Sequence, residues 1–552
     1  MSARPAGSDD RPLRIVCLGG GFVAVSLVRA LRSQVRAGTV QVTVVDRDNF
    51  LSFHGFVPEM LAGRLQPGHI MVPARRAFRG ARFHNAEIEA IDLERRVVTT
   101  ARGLDGREYE LPFDHLVLGL GSRDDLSRFP GLEEHAFRVR HFADAVAARA
   151  RVVECLELAE IESDPVERRR LLTFVVGGGN YGGIEIATEL LDCFALSRAD
   201  YPGLAPEEFR VVLVHPGDRV LPELAERQEH LRRRAERHLA TSGVDFRLGT
   251  RLAAATRDEV VLTTGERIAS RTILSSTGTD MSPLVVALPV EKDERGRVRT
   301  DEHGRVLGAQ DVWAAGDCAA FPHPAGGTCP PLAVYARAQG RHVGRCITGS
   351  LSGAALPRFR FTGLGDVVAL GRHQAVGHVR GVPVTGVTAW VLWRLVLLCF
   401  VPTADRKARV VFDWLMASLV GPEVVAPKAS AGSEVRAEYY EPGQEIVRMG
   451  ESGRRLYFIR SGQVEVVRAG RSSRPAGATG DDADSLVLGA GDHFGEQSAL
   501  LGVRRTATIR ARTPVALLSL NRSDARAMIE TLPALGALGD LPAAGSSDRS
   551  RT

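Results

Sequence analysis

Two glycine-rich turns, each running from an apolar strand into a helical segment, constrain the fold of this chain more than any other feature. The first is Arg14-Ile-Val-Cys-Leu-Gly-Gly-Gly-Phe-Val-Ala24 and the second is Phe174-Val-Val-Gly-Gly-Gly-Asn-Tyr-Gly-Gly-Ile-Glu185. A strand that ends on glycine and hands over to a helix leaves free N–H groups at the helix start, where a pyrophosphate binds. Gly19 and Gly21 allow the tight turn and the close backbone approach, and Ala24 takes the third small position. The strand Val42–Asp46 then ends in a carboxylate placed for an adenosine ribose. One such turn is weak evidence, because glycine also serves packing alone. A second copy strengthens it, with Gly177, Gly179 and Gly182 as its glycines. Together with the strand–glycine segments Phe113–Ser122 and Asp311–Cys318, it predicts an α/β chain of two tandem Rossmann-like dinucleotide-binding folds, one inserted in the other.

The last part of the chain is built differently. Tyr440–Ile446 and Arg455–Val466 alternate apolar and polar residues between glycine turns, as strands of a small β-roll do. They lead to His493-Phe-Gly-Glu-Gln-Ser-Ala-Leu-Leu-Gly-Val-Arg-Arg-Thr-Ala-Thr-Ile-Arg-Ala511. Gly495 lets the backbone approach a sugar, and Glu496 is an acceptor for a ribose hydroxyl. Gln497–Leu501, which contains Ser498, can form a short turn whose N–H groups face a phosphate. Arg505 supplies a charge-assisted bond to that phosphate, and Thr506 adds a hydroxyl. Over residues 434–535 the chain resembles cyclic-nucleotide-binding domains, which implies cAMP or cGMP as an effector. One helix, Arg522–Leu532, and a polar tail follow, so no DNA-reading helix and no nucleic-acid partner are expected.

Composition narrows the rest. A length of 552 residues exceeds one core and predicts three or four domains. A net charge of +5 is weak support for nucleic-acid binding, which needs a clustered basic face. The seven cysteines are scattered without a C-x-x-C pair, so no metal site, disulfide framework or redox-active disulfide is expected. Met1–Arg11 is polar and lacks the apolar stretch of a secretory signal, which points to a cytoplasmic catalytic body.

From about residue 12 to about residue 425 the chain resembles the type II NADH dehydrogenases, single-subunit NADH:quinone oxidoreductases. The resemblance is carried by Asp46–Phe50, Pro58–Arg64, Val214–Leu224, Leu364–Arg372 and the tryptophan-bearing segment after it. It implies FAD on Gly19, Gly21, Ala24, Asp46, Ser122, Gly316 and Asp317, and NADH or NADPH on Gly177, Gly179 and Gly182, with hydride transfer at the domain seam. It also puts Glu185 near the nicotinamide and quinone; a helix-start carboxylate favoured by the macrodipole is the other reading of that residue. The chain departs from the family in three places. The second glycine turn is one residue longer before Glu185, which leaves Gly182 and Gly183 interchangeable. The strand Val211–His215 ends in His215 instead of an acid; histidine does not repel a 2′-phosphate, so NADPH is admitted. The quinone motif keeps its second glutamine as Gln339 and has Val334 at the first.

Ala389–Val401 is the most apolar segment, too short to cross a bilayer and interrupted by Arg394. With a second helix at Lys407–Val420, its tryptophans and nearby basic residues suit an interfacial membrane anchor. A buried helix or a homodimer interface is the other reading. The expected organisation is a tail to residue 11, FAD domain 12–125 and 291–355, NAD(P)H domain 126–290, membrane-associating segment 356–421, linker 422–433, receptor domain 434–540 and tail 541–552. The expected activity is an FAD-dependent NAD(P)H:quinone oxidoreductase, peripheral on the cytoplasmic face of the membrane, metal-free and regulated by a cyclic nucleotide. The alternatives are a flavin diaphorase with a soluble acceptor and a flavin-containing cyclic-nucleotide sensor or scaffold.

Overall fold

Leu13–Leu18 is an apolar strand buried on both faces, and it pairs in parallel with Val40–Asp46 on one side and His115–Leu118 on the other. Arg82–Asn85 and Val312–Ala314 complete a five-stranded parallel sheet in the order Val312–Ala314, His115–Leu118, Leu13–Leu18, Val40–Asp46, Arg82–Asn85. Strand order reverses between Leu13–Leu18 and His115–Leu118, so a crevice opens there at the carboxyl ends of the strands. The computed structural model describes residues 11–103, 105–224, 228–277, 279–426, 435–451, 453, 455–467, 486–501, 503–521 and 524–525. The expected N-terminal segment up to residue 10, the tail from 541, most of both the linker 422–433 and the helix Arg522–Leu532, and the stretch 471–483, whose Ser, Pro, Gly and Asp content reads as a hairpin insertion in the receptor, lie outside the described residues.

The second sheet repeats the pattern. Its parallel order is Ala136–Arg138, Thr272–Ser275, Thr173–Gly177, Arg210–His215, Val244–Leu248. The chain leaves the first fold and returns to it side by side, because Arg123–Asp124 pairs antiparallel with Thr279–Asp280. The returning chain supplies Val312–Ala314 to the first sheet and then the helix Ala333–Leu351. That helix crosses the first glycine-turn helix, Phe22–Ala30, with backbones almost touching: a Cβ on Gly340 would lie 2.4 Å from the Val23 carbonyl oxygen. One apolar core runs through both folds and into the segment after residue 356.

That segment starts as a three-stranded antiparallel sheet, Gly365–Ala369, Ala375–Val379 and Val382–Thr385, and continues as helices Gly386–Phe400 and Ala404–Leu419. Among the described residues no helix is long and apolar enough to cross a membrane. From the sequence, the tryptophans of the apolar segment, Trp390 and Trp393, with Phe400, are expected to contribute to lipid binding; that expectation is corrected here, since all three are buried. The cause is Arg394. Its guanidinium bonds the fully buried Glu59 carboxylate and lies 3.8 Å from the Trp390 ring centroid and 4.9 Å from that of Trp414. A charge inside an apolar helix must be paired and covered, and the tryptophans cover it. The exposed large apolar residues are instead Val387, Val391, Leu395 and Val396 on one helix and Val411, Phe412, Leu415 and Leu419 on the next.

The receptor domain has its own core around Tyr440, Tyr457, Phe494 and Leu517. Two four-stranded antiparallel sheets enclose it, with Arg436–Tyr440 at the edge of one.

Candidate functional site

The two glycine turns superpose in role once each is counted from its helix. Gly19 (φ +94°) and Gly178 (φ +110°) hold the left-handed conformation. Gly20 and Gly179 each donate their N–H to the side chain that ends the neighbouring strand: Asp46 Oδ2 in the first fold, His215 Nδ1 at 3.0 Å in the second. Gly21 and Asn180 are the helix N-caps. The third small position is the buried Ala24 in the first helix and Gly183 in the second, where a Cβ would lie 1.8 Å from the Gly178 carbonyl oxygen.

The register of the second turn therefore moves by one from the sequence expectation. Gly177 is the last residue of the strand, and Gly182 is less closely confined than Gly183, a Cβ there meeting the Ser276 Oγ at 3.2 Å and no backbone atom. That extra strand glycine accounts for the longer spacing before Glu185. Gly183→Ala is expected to displace the Gly178 carbonyl and raise the apparent Kd for NAD⁺ at least about tenfold, 1.4 kcal/mol, while FAD content stays normal. Calorimetry with NAD⁺ and the flavin absorbance check both halves.

The first turn fits a dinucleotide. No side chain caps the helix Phe22–Ala30, and a Cβ added to Gly21 would meet nothing within 4 Å, so the N–H groups face open space. Gly19 lies against the Gly119 carbonyl across the switch point, 2.3 Å from where its Cβ would be. On the same side, Ser122 Oγ donates to Asp317 Oδ2 at 3.1 Å, and Gln339 Oε1 accepts the Gly316 N–H at 2.7 Å. Burial pushes the Asp317 carboxyl up, and the Ser122 hydroxyl pulls it back. Burial likewise pushes Asp46 up, against the N–H groups of Gly20 and Asp48. Gln339 thus holds the Gly316–Asp317 turn, a contact with no signature in the sequence.

Asn180 caps the second helix by accepting the Gly183 N–H at 2.9 Å. Beside this turn, Gly177, Gly178, Val214, Leu252, Phe129 and Leu132 line a cavity of about 280 Å³. Burial lowers the His215 pKa, which suits its role as a neutral acceptor for Gly179.

Glu185 is buried on the helix Tyr181–Leu196, and its Oε1 accepts the Ala369 N–H at 3.1 Å. Burial, with Glu189 and Glu59 adding repulsion, pushes its pKa up to about 8, against the Ala369 and Trp393 hydrogen bonds. Burial and the neighbouring carboxylates thus favour its protonated form near neutral pH. Arg64 pairs with Glu189 at 3.2 Å and Asp192 at 3.3 Å on the same helix. The structure thus joins Glu185 to Trp393, whose helix carries the exposed Val387, Val391 and Leu395 on its other face.

In the receptor, Gly495 (φ +89°) and Arg505 are brought together: Arg505 Nη1 donates to the Gly495 carbonyl at 3.0 Å and Nη2 to the Arg455 carbonyl at 2.9 Å. The buried guanidinium also lies 5.6 Å from the Tyr457 ring centroid. Glu496 and the buried Ser498 lie at the start of the short helical turn Gln497–Leu501, and Thr506 is exposed. Away from both sites, His303, His342 and Cys346 hold their ligand-type atoms within 4.8 Å of one another. Two backbone carbonyls already occupy all three, Pro357 accepting from His303 and Cys346, and Glu302 from His342.

Comparison with known proteins agrees with this geometry. Residues 13–340 match the pyridine nucleotide-disulphide oxidoreductase family, and residues 437–532 match the cyclic nucleotide-binding domain. Demethylphylloquinone reductase NdbB of Synechocystis is 30% identical over 416 residues, covering 74% of this chain and 96% of that protein. The type II NADH:quinone oxidoreductase of Staphylococcus saprophyticus is 25% identical over 386 residues, 69% of this chain and 92% of that protein. The fold matches NDH2 of Plasmodium falciparum, solved in complex with NADH, with a TM-score of 0.68 at 14% identity over 75% of this chain and 100% of that one. The chain is an oxidoreductase that belongs to the pyridine nucleotide-disulphide oxidoreductase family, on its type II NADH dehydrogenase branch, with a cyclic nucleotide-binding domain joined behind the catalytic body.

Proposed function

We propose that this enzyme oxidises NADH or NADPH with FAD and delivers the electrons to a quinone at the cytoplasmic face of a membrane, under control of a cyclic nucleotide. Bound FAD accepts a hydride and passes electrons on without any nucleophilic residue. The protein binds, orients and moves protons. Gly19, Gly21, Ala24, Asp46, Ser122, Gly316 and Asp317 hold the FAD side. Gly178, Gly179, Asn180 and Gly183 form the nicotinamide-nucleotide side, and His215 steadies it without the charge that would repel a 2′-phosphate. The observation that carries the reading is Glu185, a buried carboxyl on the second glycine-turn helix that accepts the Ala369 N–H and faces Trp393 of the helix bearing the exposed apolar stripe. A quinone that takes two electrons also takes two protons, and Glu185 is the residue proposed to supply one.

The test is spectroscopic. NADH or NADPH should bleach the bound flavin, and a quinone analogue should restore it faster than soluble acceptors do. Recovery only with soluble acceptors would make the protein a diaphorase.

The membrane part rests on two apolar stripes: Val387, Val391 and Leu395 on one helix, and Val411, Leu415 and Leu419 on the next, recur every four residues and so share one face of each, with Val396 and Phe412 beside them. Changing Val391, Leu395, Phe412 and Leu415 together to serine is expected to cut recovery with sedimented anionic vesicles at least about tenfold, 1.4 kcal/mol, with the flavin spectrum unchanged. Equal recovery would remove the membrane from the reading.

The receptor part rests on Gly495, Glu496, Ser498, Arg505 and Thr506, which fit a cyclic phosphodiester and its ribose. Calorimetry with cAMP and cGMP tests it.

A further inference from the structure

One short helix links the cavity beside the second glycine turn to the receptor. Leu132 lines the cavity and opens this single-turn helix, Leu132–His135. At the other end of that turn, His135 Nε2 accepts the N–H of Tyr439, on the receptor's edge strand Arg436–Tyr440, at 2.9 Å. Burial keeps His135 neutral, with a pKa near 4, as an acceptor must be. Gly131 is pinned between the two bodies: a Cβ there would lie 1.9 Å from the Ala255 carbonyl oxygen and 2.7 Å from Tyr439 Cδ1. Gln444 Nε2, also in the receptor, donates to Glu259 Oε1 at 2.9 Å and closes the seam.

The same edge strand is bonded back to the cassette. Glu438, beside Tyr439 and buried, accepts from Tyr440 Oη at 2.7 Å and from Ser519 Oγ. Ser519 Oγ accepts from Arg455 Nε at 3.0 Å, and the Arg455 carbonyl accepts from Arg505. A cyclic phosphate that draws the Arg505 guanidinium toward itself must loosen the Gly495 and Arg455 carbonyls it now holds. The strand Arg455–Ser461 is separated from Arg436–Tyr440 by a single strand, Val515–Asn521.

We infer that the cyclic nucleotide acts on the pyridine-nucleotide pocket, with His135 and Leu132 as the positioning residues that transmit receptor state to NAD(P)H affinity. This rests on the receptor reading above. It requires that the ligand favour one arrangement of the seam over another, and linkage then makes the effect reciprocal between the two binding sites.

The experiment uses the full chain with FAD. Calorimetry measures cAMP and cGMP binding with and without saturating NAD⁺, and steady-state kinetics varies NADH and a water-soluble quinone separately. The nucleotide that binds should change NAD⁺ affinity by about fivefold or more, be changed by NAD⁺ by the same factor, and move the KM for NADH but not that for quinone. His135→Ala should still bind the nucleotide and lose the linkage. Should His135→Ala fail to fold, Gln444→Ala, at the second seam bond, should weaken the linkage in the same way. Linkage that persists unchanged in the folded variant overturns the inference, as does a response confined to the quinone KM. If neither nucleotide binds, the receptor reading itself falls, and this inference with it. Binding without linkage to NAD⁺ overturns this inference alone.

Discussion

Replacing Arg394 by alanine is expected to destabilise the C-terminal segment by about 3–5 kcal/mol, the cost of leaving one partner of a buried ion pair without the other. Glu59 is fully buried, and its two oxygens accept from Arg394 Nε at 3.0 Å and Trp414 Nε1 at 2.7 Å. The carboxylate therefore latches three elements together: its own short helix Val57–Leu61 and the helices Gly386–Phe400 and Ala404–Leu419. Removing the guanidinium also uncovers the indole faces of Trp390 and Trp414. Denaturant unfolding followed by tryptophan fluorescence measures the loss. Arg394→Met with Glu59→Gln should recover much of it, because no charge is left buried while the amide still accepts from Trp414. An unchanged midpoint in Arg394→Ala would show that the pair is not a structural latch.

This pair explains why the orientation of the tryptophans could not be read from the sequence. The helix Gly386–Phe400 is apolar around its whole circumference, so periodicity gives no inward face. Arg394 was the available signal: an arginine in the middle of such a run marks the side that finds a carboxylate. Its partner, Glu59, lies more than 300 residues away in sequence, and no local pattern points to it. The glycine turns are the opposite case. A strand, a turn and a helix are contiguous, so both folds, the switch-point segment Phe113–Ser122 and the Gly316–Asp317 turn were legible as local patterns. What locality hides is the pairing between strands. Only the alignment of Leu13–Leu18 with Val40–Asp46, and of Thr173–Gly177 with Arg210–His215, shows Asp46 and His215 accepting matched N–H groups. The same holds for Gly183, whose need for a bare α-carbon comes from the Gly178 carbonyl five residues back in a folded turn. The cassette was legible residue by residue, but its docking on the helix Leu132–His135 joins positions some 300 apart and leaves no trace in either stretch.

Glu185→Gln is expected to lower quinone-dependent turnover by about 10²-fold or more, the usual contribution of a positioned general acid, and to leave NADH-driven flavin bleaching intact. The expectation follows from the proposed proton supply. With a pKa near 8, raised by burial and by Glu189 and Glu59, the carboxyl is protonated below that pH and ionised above it. Turnover should therefore be level up to about pH 8 and fall as the pH rises through it, and the glutamine variant should lack that inflexion. Stability gives an independent readout of the same group. Because the folded pKa lies above the ordinary 4.5, the carboxyl's contribution to stability is fully present below about pH 4.5 and is lost as the pH rises through about 8. Glutamine cannot ionise, so the variant should be the more stable protein at pH 8 and should lose that part of the slope. A purely structural Glu185 would predict a different pair of results: the stability slope would still flatten, but the quinone turnover and its pH profile would match those of the parent. Stopped-flow bleaching by NADH, steady-state turnover with a quinone analogue between pH 6 and pH 9.5, and denaturant midpoints over the same range separate the two roles. If turnover falls by the same factor as bleaching, Glu185 acts on the nicotinamide side, and the proton for the quinone comes from another group.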